Sequence, residues 1–229
     1  MSINTTNKLV CRILFLFIMC SLSAKVSGQK QHDAMAWITV AVEKKITNRF
    51  SIGIMNQTTF NQNFREMGAT YLDLGLTYKL SKYLSVSGNY RFTEARNLEN
   101  VYQPIQRFYT DVTLSKGYRK FYFQFRSRLQ VQYYGIDPTD SYRAMKNFNR
   151  NRFSIRYNIN RVYSPYIFVE QFYRLNTIRK TQAIRAGVGL TYKFNLQHRL
   201  DFYFLNQFQV NRSNPRIDYI YGITYSYKF

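Results

Sequence analysis

The sequence predicts an all-β protein, a transmembrane antiparallel up-and-down β-barrel of 10 to 12 strands that follows a cleaved signal peptide. Three observations carry this. Apolar and polar side chains alternate with a period of two almost from end to end, the mark of half-buried strands. The connections between the alternating segments are by turns short and longer. The alternation runs out to the last residue, Phe229.

Residues 1–28 differ in pattern from the rest of the chain. Lys8 and Arg12 precede the apolar run Ile13-Leu14-Phe15-Leu16-Phe17-Ile18-Met19-Cys20, and small residues come next, which is the order of a secretory signal peptide. The run is about half of the ~20 residues a helix needs to cross a bilayer. Ser21, Ser23 and Lys25 end it, against a retained anchor. Cleavage after Ala24 or after Gly28 leaves a small residue behind, and the second makes Gln29 the new terminus. Phe17-Ile18-Met19 lacks the small residues expected ahead of a lipidated cysteine, so Cys20 is not read as a lipid anchor. Cys11 and Cys20 both fall in the leader. Residues 29–229 therefore carry no disulfide and no thiolate site, despite export to an oxidising compartment. No Pro/Gly/Ser-rich linker divides 29–229, which reads as one domain.

The formal charge is +21, and the leader accounts for only Lys8, Arg12 and Lys25 of it. Such a balance calls for an anionic partner. Nucleic acid ranks last, because the chain is 18% aromatic and its cations are spread along alternating segments rather than gathered in runs. For an exported protein the anions at hand are lipid head groups, lipopolysaccharide phosphates or a small anionic solute.

Residues 121–133 show the alternation best. Phe121, Phe123, Phe125, Leu129, Val131 and Tyr133 interleave with Tyr122, Gln124, Arg126, Arg128, Gln130 and Gln132. Leu72, Leu74, Leu76, Tyr78 and Leu80 do the same against Tyr71, Asp73, Gly75, Thr77 and Lys79, as do Leu84, Val86, Tyr90 and Phe92 against Ser85, Ser87, Asn89 and Arg91. The pattern gives eleven candidate strands: 34–43, 49–60, 68–80, 83–93, 107–116, 120–134, 148–159, 165–175, 181–194, 199–210 and 216–229. Most have the roughly 9 to 11 residues a tilted strand needs to cross a bilayer. Short connections at 44–48, 81–82, 117–119, 160–163 and 195–198 alternate with mostly longer ones at 61–67, 94–106, 135–147, 176–180 and 211–215. Short periplasmic turns and longer external loops are the asymmetry of outer-membrane barrels.

A mean hydropathy of −0.39 is compatible with this, because each membrane strand shows lipid only half its side chains. Soluble sandwiches and lipocalin-like barrels alternate too, with the apolar face inward. The polar face here, with Arg126, Arg128, Arg152, Arg156 and Arg185, suits a lumen better than an outer surface. Ile217, Tyr219, Tyr221, Ile223, Tyr225, Tyr227 and Phe229 place an apolar or aromatic residue at every second position of the last segment. Tyr225, Tyr227 and Phe229 resemble the terminal signal by which barrel-assembly machinery recognises its clients. With both ends in the periplasm a single-chain barrel needs an even strand number. Ten is expected if the segment holding Trp37 is short or lumen-associated, and twelve if one strand has been missed.

The chain resembles the outer-membrane barrels grouped as domain of unknown function 2490. The likeness lies in Trp37, in Glu43-Lys44-Lys45-Ile46-Thr47, in the pair Gly75-Leu76-Thr77-Tyr78-Lys79-Leu80 and Gly88-Asn89-Tyr90-Arg91-Phe92, and in Arg185-Ala186-Gly187-Val188-Gly189-Leu190-Thr191-Tyr192-Lys193-Phe194. It covers most of 29–229. The resemblance implies a fold and the outer membrane as location, and brings no activity, cofactor or catalytic residue.

Catalytic chemistry finds little support. A phospholipase or acyltransferase needs a histidine beside a serine with a third group orienting the ring. The only histidines are His32, ahead of the first strand, and His198, in a short turn. Glu94, Glu99, Asp137 and Asp140 fall in the longer loops and read as solvated charges, and Asp137-Pro138-Thr139-Asp140 is too generic for a calcium loop. No metal or cofactor is expected. The interior is the better constellation. Alternation projects Arg91, Arg126, Arg128, Arg152, Arg156, Arg174 and Arg185 inward together with Asp73, Asp111, Glu170, Asp201 and Asp218. This mixture reads either as a paired polar filling or as a basic-lined narrow pore for an anion. The expectation is a non-enzymatic outer-membrane barrel, structural or a narrow anion-favouring channel. A lipid-modifying enzyme and a docking barrel for a partner are the alternatives.

Overall fold

A computed structural model describes residues 32–97, 100–135, 146–176 and 179–229. The leader 1–28, with its two candidate cleavage points and both cysteines, lies outside the described residues, as do Glu99, Asp137 and Asp140. Eleven strands form: β1 (His32–Lys45), β2 (Phe50–Asn61), β3 (Glu66–Lys79), β4 (Leu84–Arg96), β5 (Tyr102–Tyr118), β6 (Phe121–Tyr134), β7 (Lys146–Tyr157), β8 (Tyr163–Arg174), β9 (Thr181–Lys193), β10 (His198–Gln209) and β11 (Ile217–Lys228). They make one closed barrel in sequence order. No helix long and apolar enough to cross a membrane occurs among the described residues.

Sequence neighbours pair antiparallel, but the barrel closes through a parallel pair, β1 beside β11, in register from His32–Ile217 to Glu43–Lys228. Eleven strands fall within the expected 10 to 12; what is corrected is the requirement of an even number, and with it the antiparallel pairing at the closure. All eleven segments are strands, and the one holding Trp37 is a full 14 residues long. Evenness is required only where both chain ends leave by one rim. A parallel pair satisfies the backbone groups of both edge strands as well as an antiparallel one does, and it puts the start of β1 and the end of β11 at opposite rims.

Ion pairs hold this seam at both ends. Lys228 Nζ lies 2.7 Å from Glu43 Oε1, where Phe229 N donates to Glu43 O and Lys45 N donates to Phe229 O. At the other end Arg216 bridges Asp33 and Asp218, which face each other across the seam. Asp33 also accepts the backbone N–H groups of Gln62 and Asn63 at 3.2 and 2.9 Å. It thereby closes a β2–β3 turn in which Gln62, Asn63 and Phe64 all have positive φ.

One rim carries the short connections 46–49, 80–83, 119–120, 158–162 and 194–197 together with Phe229. The other carries the described residues of the remaining connections, 62–65, 97, 100–101, 135, 175–176, 179–180 and 210–216, and the start of β1. The β4–β5 connection is shorter than the expected 94–106, because Arg96 and Tyr102 still pair across the two strands. The strands tilt strongly. A line of paired residues leaving Lys45 passes Ser51, Thr77, Ser87, Asp111, Arg128, Arg150, Phe172 and Ala183 to reach Gln209, at the opposite rim. Such a stagger is what closes a sheet of this size.

The two faces follow the alternation. Ile38, Val40, Ile52, Ile54, Leu72, Leu74, Leu76, Val112, Leu114, Leu129, Ile167 and Val188 all stand exposed on the outer surface. Tyr78, Tyr83, Tyr118, Phe121, Tyr157, Tyr163, Phe194 and Phe229 ring the short-turn rim. Inside lie buried Thr39, Gln57, Asp73, Arg91, Asp111, Arg128, Gln130, Arg150, Glu170 and Asp201. The interior also holds an apolar cluster, in which Met35, Trp37, Tyr166 and Tyr203 pack against Phe168, Leu205 and Ile220.

Candidate functional site: the arginine-lined interior

Strand pairing sets inward residues from adjacent strands side by side, and here it lines up arginines with aromatic rings. The Arg91 guanidinium of β4 lies 3.8 Å from the ring centre of Tyr71 on β3 and 5.7 Å from that of Tyr109 on β5, and the guanidinium of Arg128 on β6 covers Tyr109 at 3.7 Å. Across the lumen, Phe172 of β8 sits between the guanidiniums of Arg150 on β7 and Arg185 on β9, at 4.2 and 4.5 Å. Arg185 also stands 5.0 Å from Trp37 of β1. The circle is completed through Tyr71 Oη, which donates to Gln57 Oε1 at 2.5 Å, and Thr39 Oγ1, which donates to the same oxygen at 3.1 Å. A belt in which guanidiniums and rings alternate, except where Arg128 meets Arg150 and where Thr39 and Gln57 intervene, thus runs round the interior. Guanidinium over an aromatic face contributes about 0.5–1 kcal/mol when exposed and about 2 or more when desolvated.

Carboxylates hold part of this belt. Arg91 Nε donates to Asp73 Oδ2 at 2.6 Å, and Tyr109 Oη donates to the same oxygen at 2.5 Å. Arg128 grips Asp111 with both arms of its fork, at 2.6 and 2.7 Å. Glu170 receives Arg126 at 2.7 Å and Arg150 at 2.9 Å. Asp201 accepts from Thr191 and pairs with Arg199 at 2.9 Å. Each of these carboxylates is nearly out of contact with water.

Cations nevertheless outnumber acids. Directly opposed arginines occur at three places, Arg91 with Arg107, Arg126 with Arg152, and Arg128 with Arg150, a juxtaposition that destabilises a sheet unless something answers it. Among the described residues, Arg107, Arg152, Arg156 and Arg185 have no carboxylate partner. Arg107 is held by Gln132 at 2.8 Å and Arg185 by Gln207 at 2.6 Å. Arg152 lies over Phe168 at 3.9 Å and Arg156 over Tyr166 at 5.6 Å. The Nε atoms of Arg107, Arg126 and Arg156 are buried with no hydrogen-bond partner among the described residues.

Cavities open within the interior. One of about 840 Å³ opens at the short-turn rim between Glu43, Thr77, Lys193, Gln197, Arg199 and Lys228. Another, of about 670 Å³, is lined among the described residues by nine arginines against two acids, Glu170 and Asp201. They share Met55, Tyr109 and Arg199 as lining. Glycines keep this space from filling. Tyr203 lies flat over Gly222, Tyr166 over Gly189 and Phe168 over Gly187, so close that a Cβ at these positions would come within 2.0, 2.4 and 2.8 Å of the rings.

The structure thus turns Asp73, Arg91, Asp111, Arg126, Arg128, Arg152, Arg156, Glu170, Arg185, Asp201 and Asp218 inward, but does not bring them all together. Asp73, Arg91, Asp111 and Arg128 gather round Tyr109. Arg126 and Glu170 meet with Arg150. Asp201 sits nearer the short-turn rim, and Asp218 belongs to the seam at the long-loop rim. Arg174 follows an irregularity between Phe172 and Tyr173 and lines neither cavity. Sequence reasoning missed Arg150 and Arg107, although Arg150 shares the parity of Arg152 and Arg107 that of Asp111. It also missed the inward rings of Tyr109, Phe172 and Trp37.

The histidines lie at opposite rims. His32 stacks on Tyr219, and the Nδ1 of His198 is 2.6 Å from Tyr225 Oη, beside Tyr227. Among the described residues neither ring is bonded to a serine, and no group of three His, Cys, Asp or Glu side chains is placed to hold a metal ion. Tyr225, Tyr227 and Phe229 point outward at the short-turn rim, with Phe229 stacked on Tyr227 and under Lys44.

No curated protein matches the chain. Among solved structures, the beta domain of the Bordetella autotransporter Brka aligns with a TM-score of 0.44 and 8% identity, over 74% of this chain and 79% of that one. A family profile matches residues 34–218, from the third residue of β1 to the start of β11. The chain belongs to the family described as protein of unknown function (DUF2490).

Proposed function

We propose that this protein is a non-enzymatic outer-membrane barrel, exported by its N-terminal leader, whose interior holds or passes small anions. Three features support the membrane location: an apolar outer band, an aromatic ring at the short-turn rim, and a charged interior, the arrangement of a barrel surrounded by lipid. Lipid or lipopolysaccharide is then the surrounding partner, and Phe229 with Tyr225 and Tyr227 the group offered to assembly machinery. The observation that carries the anion reading is the set of interior guanidiniums without a carboxylate partner among the described residues, Arg107, Arg152, Arg156 and Arg185. Cations of this kind are stabilised by an anion among them and raise the local concentration of anions.

The test is the reversal potential of the purified barrel in a planar bilayer under a potassium chloride gradient. Anion selectivity is expected, and Arg152→Gln with Arg185→Gln should reduce it. Arg126 and Arg128 are poorer targets, because each is tied to a carboxylate. Cation selectivity would sink the reading. A silent bilayer would retire passage, and iodide quenching of Trp37, the single tryptophan, then decides whether anions enter: iodide must quench more efficiently than caesium.

A further inference from the structure

The wall of the 670 Å³ cavity is divided in kind. Its β6–β7 side presents Arg126, Arg152 and Arg156, while the facing side presents the rings of Trp37 from β1 and Tyr203 from β10, backed by the buried Leu205, with Arg185 5.0 Å from Trp37 and with Arg199 and Asp201 nearer the short-turn rim. Trp37, Tyr203 and Leu205 belong to the apolar cluster that includes the fully buried Ile220. An inorganic anion would use the guanidiniums and leave the partly exposed faces of Trp37 and Tyr203 in water. That costs free energy in proportion to the apolar area left wet, roughly 25 cal/mol per Å². The volume is that of an organic ligand site, which ranges over about 300–1,000 Å³. The glycines opposite Tyr203 and Tyr166 let those rings lie against the barrel wall rather than across the space.

We propose that this cavity is a binding site for an amphiphilic organic anion, a carboxylate or phosphate on an apolar body. The anionic head engages the guanidiniums of Arg152 and Arg156, and the body lies on the faces of Trp37 and Tyr203. Planar forks favour carboxylate and phosphate oxygens over a spherical ion. The proposal rests on the anion reading of the interior and adds the chemical class of the ligand. A lipid breakdown product and a free aromatic acid share this chemistry, and differ in whether the body is an acyl chain or a ring.

The test uses the whole folded barrel in detergent and the emission of Trp37, with phenyl phosphate, hexyl phosphate, inorganic phosphate and phenol as probes. An organic phosphate is expected to give a saturable change at a concentration at least tenfold below inorganic phosphate, with phenol silent over that range. Arg152→Gln with Arg156→Gln should weaken the organic phosphates at least tenfold. Arg119→Gln, in the exposed β5–β6 turn, should leave them unchanged, and heat-modifiable migration on a denaturing gel checks that each variant folds. The better of phenyl and hexyl phosphate tells ring from chain. If organic and inorganic phosphate bind within twofold of each other, the amphiphile proposal falls while the anion reading stands. If no anion gives a saturable change, the proposal falls as well, and bilayer selectivity judges the anion reading separately.

Discussion

Glu170→Gln removes one negative charge and keeps the shape of the side chain. Glu170 is 2% exposed. One of its oxygens receives Arg126 at 2.7 Å and Arg150 at 2.9 and 3.2 Å, and Arg152 and Arg185 stand directly beside it on the flanking strands. A unit charge pair about 4 Å apart contributes about 4 kcal/mol at an effective dielectric of 20. Breaking a buried pair by neutralising one partner costs about 3–5 kcal/mol, since the other charge is left buried and unanswered. The expected loss is therefore about 3–5 kcal/mol, which lowers a urea midpoint by more than about 1 M at ordinary slopes of about 1–3 kcal/mol per molar. Reversible urea unfolding in lipid vesicles at low salt, followed through Trp37, measures it. Adding Arg150→Met to Glu170→Gln should regain part of the loss, because one orphaned cation goes. A single-variant loss below about 1 kcal/mol, or a double variant no more stable than the single, would refute the view that Glu170 neutralises the interior.

Gly222→Ala forces the Tyr203 ring off the wall and should destabilise by about 1–3 kcal/mol, as overpacking does. Gly88→Ala, whose Cβ meets nothing within 4 Å, should be neutral or slightly stabilising, so equal urea midpoints for the two variants would overturn the role given to the interior glycines. The parallel seam predicts the topology of labelling in whole cells. A cysteine replacing His32 should react with an impermeant maleimide from the same side as one replacing Arg65, and from the opposite side to one replacing Arg119; reaction of the first from the Arg119 side would contradict an eleven-strand closure.

The strands were legible because a period of two is a local property of extended backbone, visible in any ten residues. Phe121 to Tyr133 shows it without reference to the rest of the chain, and the same parity separates the exposed Leu74 from the buried Asp73. Closure is not local. Nothing in the sequence around Asp33 announces Arg216, 183 residues away, and the parity rule for strand number assumed an arrangement of chain ends that the parallel seam does not have. Register has the same character. Arg126, Arg128 and Arg152 look alike in the sequence. Pairing gives Arg128 the fork of Asp111 and Arg126 a share of Glu170, and leaves Arg152 with a ring. Which arginines are spoken for depends on a register that single-strand patterns do not encode.

Those assignments bear on whether the interior is a filling or a site. A filling reaches low energy by neutralising its charges and by occupying its volume. Here the seam meets the first condition at both of its ends, with Asp33, Asp218 and Glu43 each paired to a cation, whereas the described residues of the cavity do not. Four interior arginines lean on rings or amides instead of carboxylates. The second condition is reversed as well, since glycine stands at 187, 189 and 222 where a larger side chain would occupy space, and aromatic rings use the room to lie back. Both departures fall on the same cavity, and both are resolved by one kind of occupant, an anion with an apolar body.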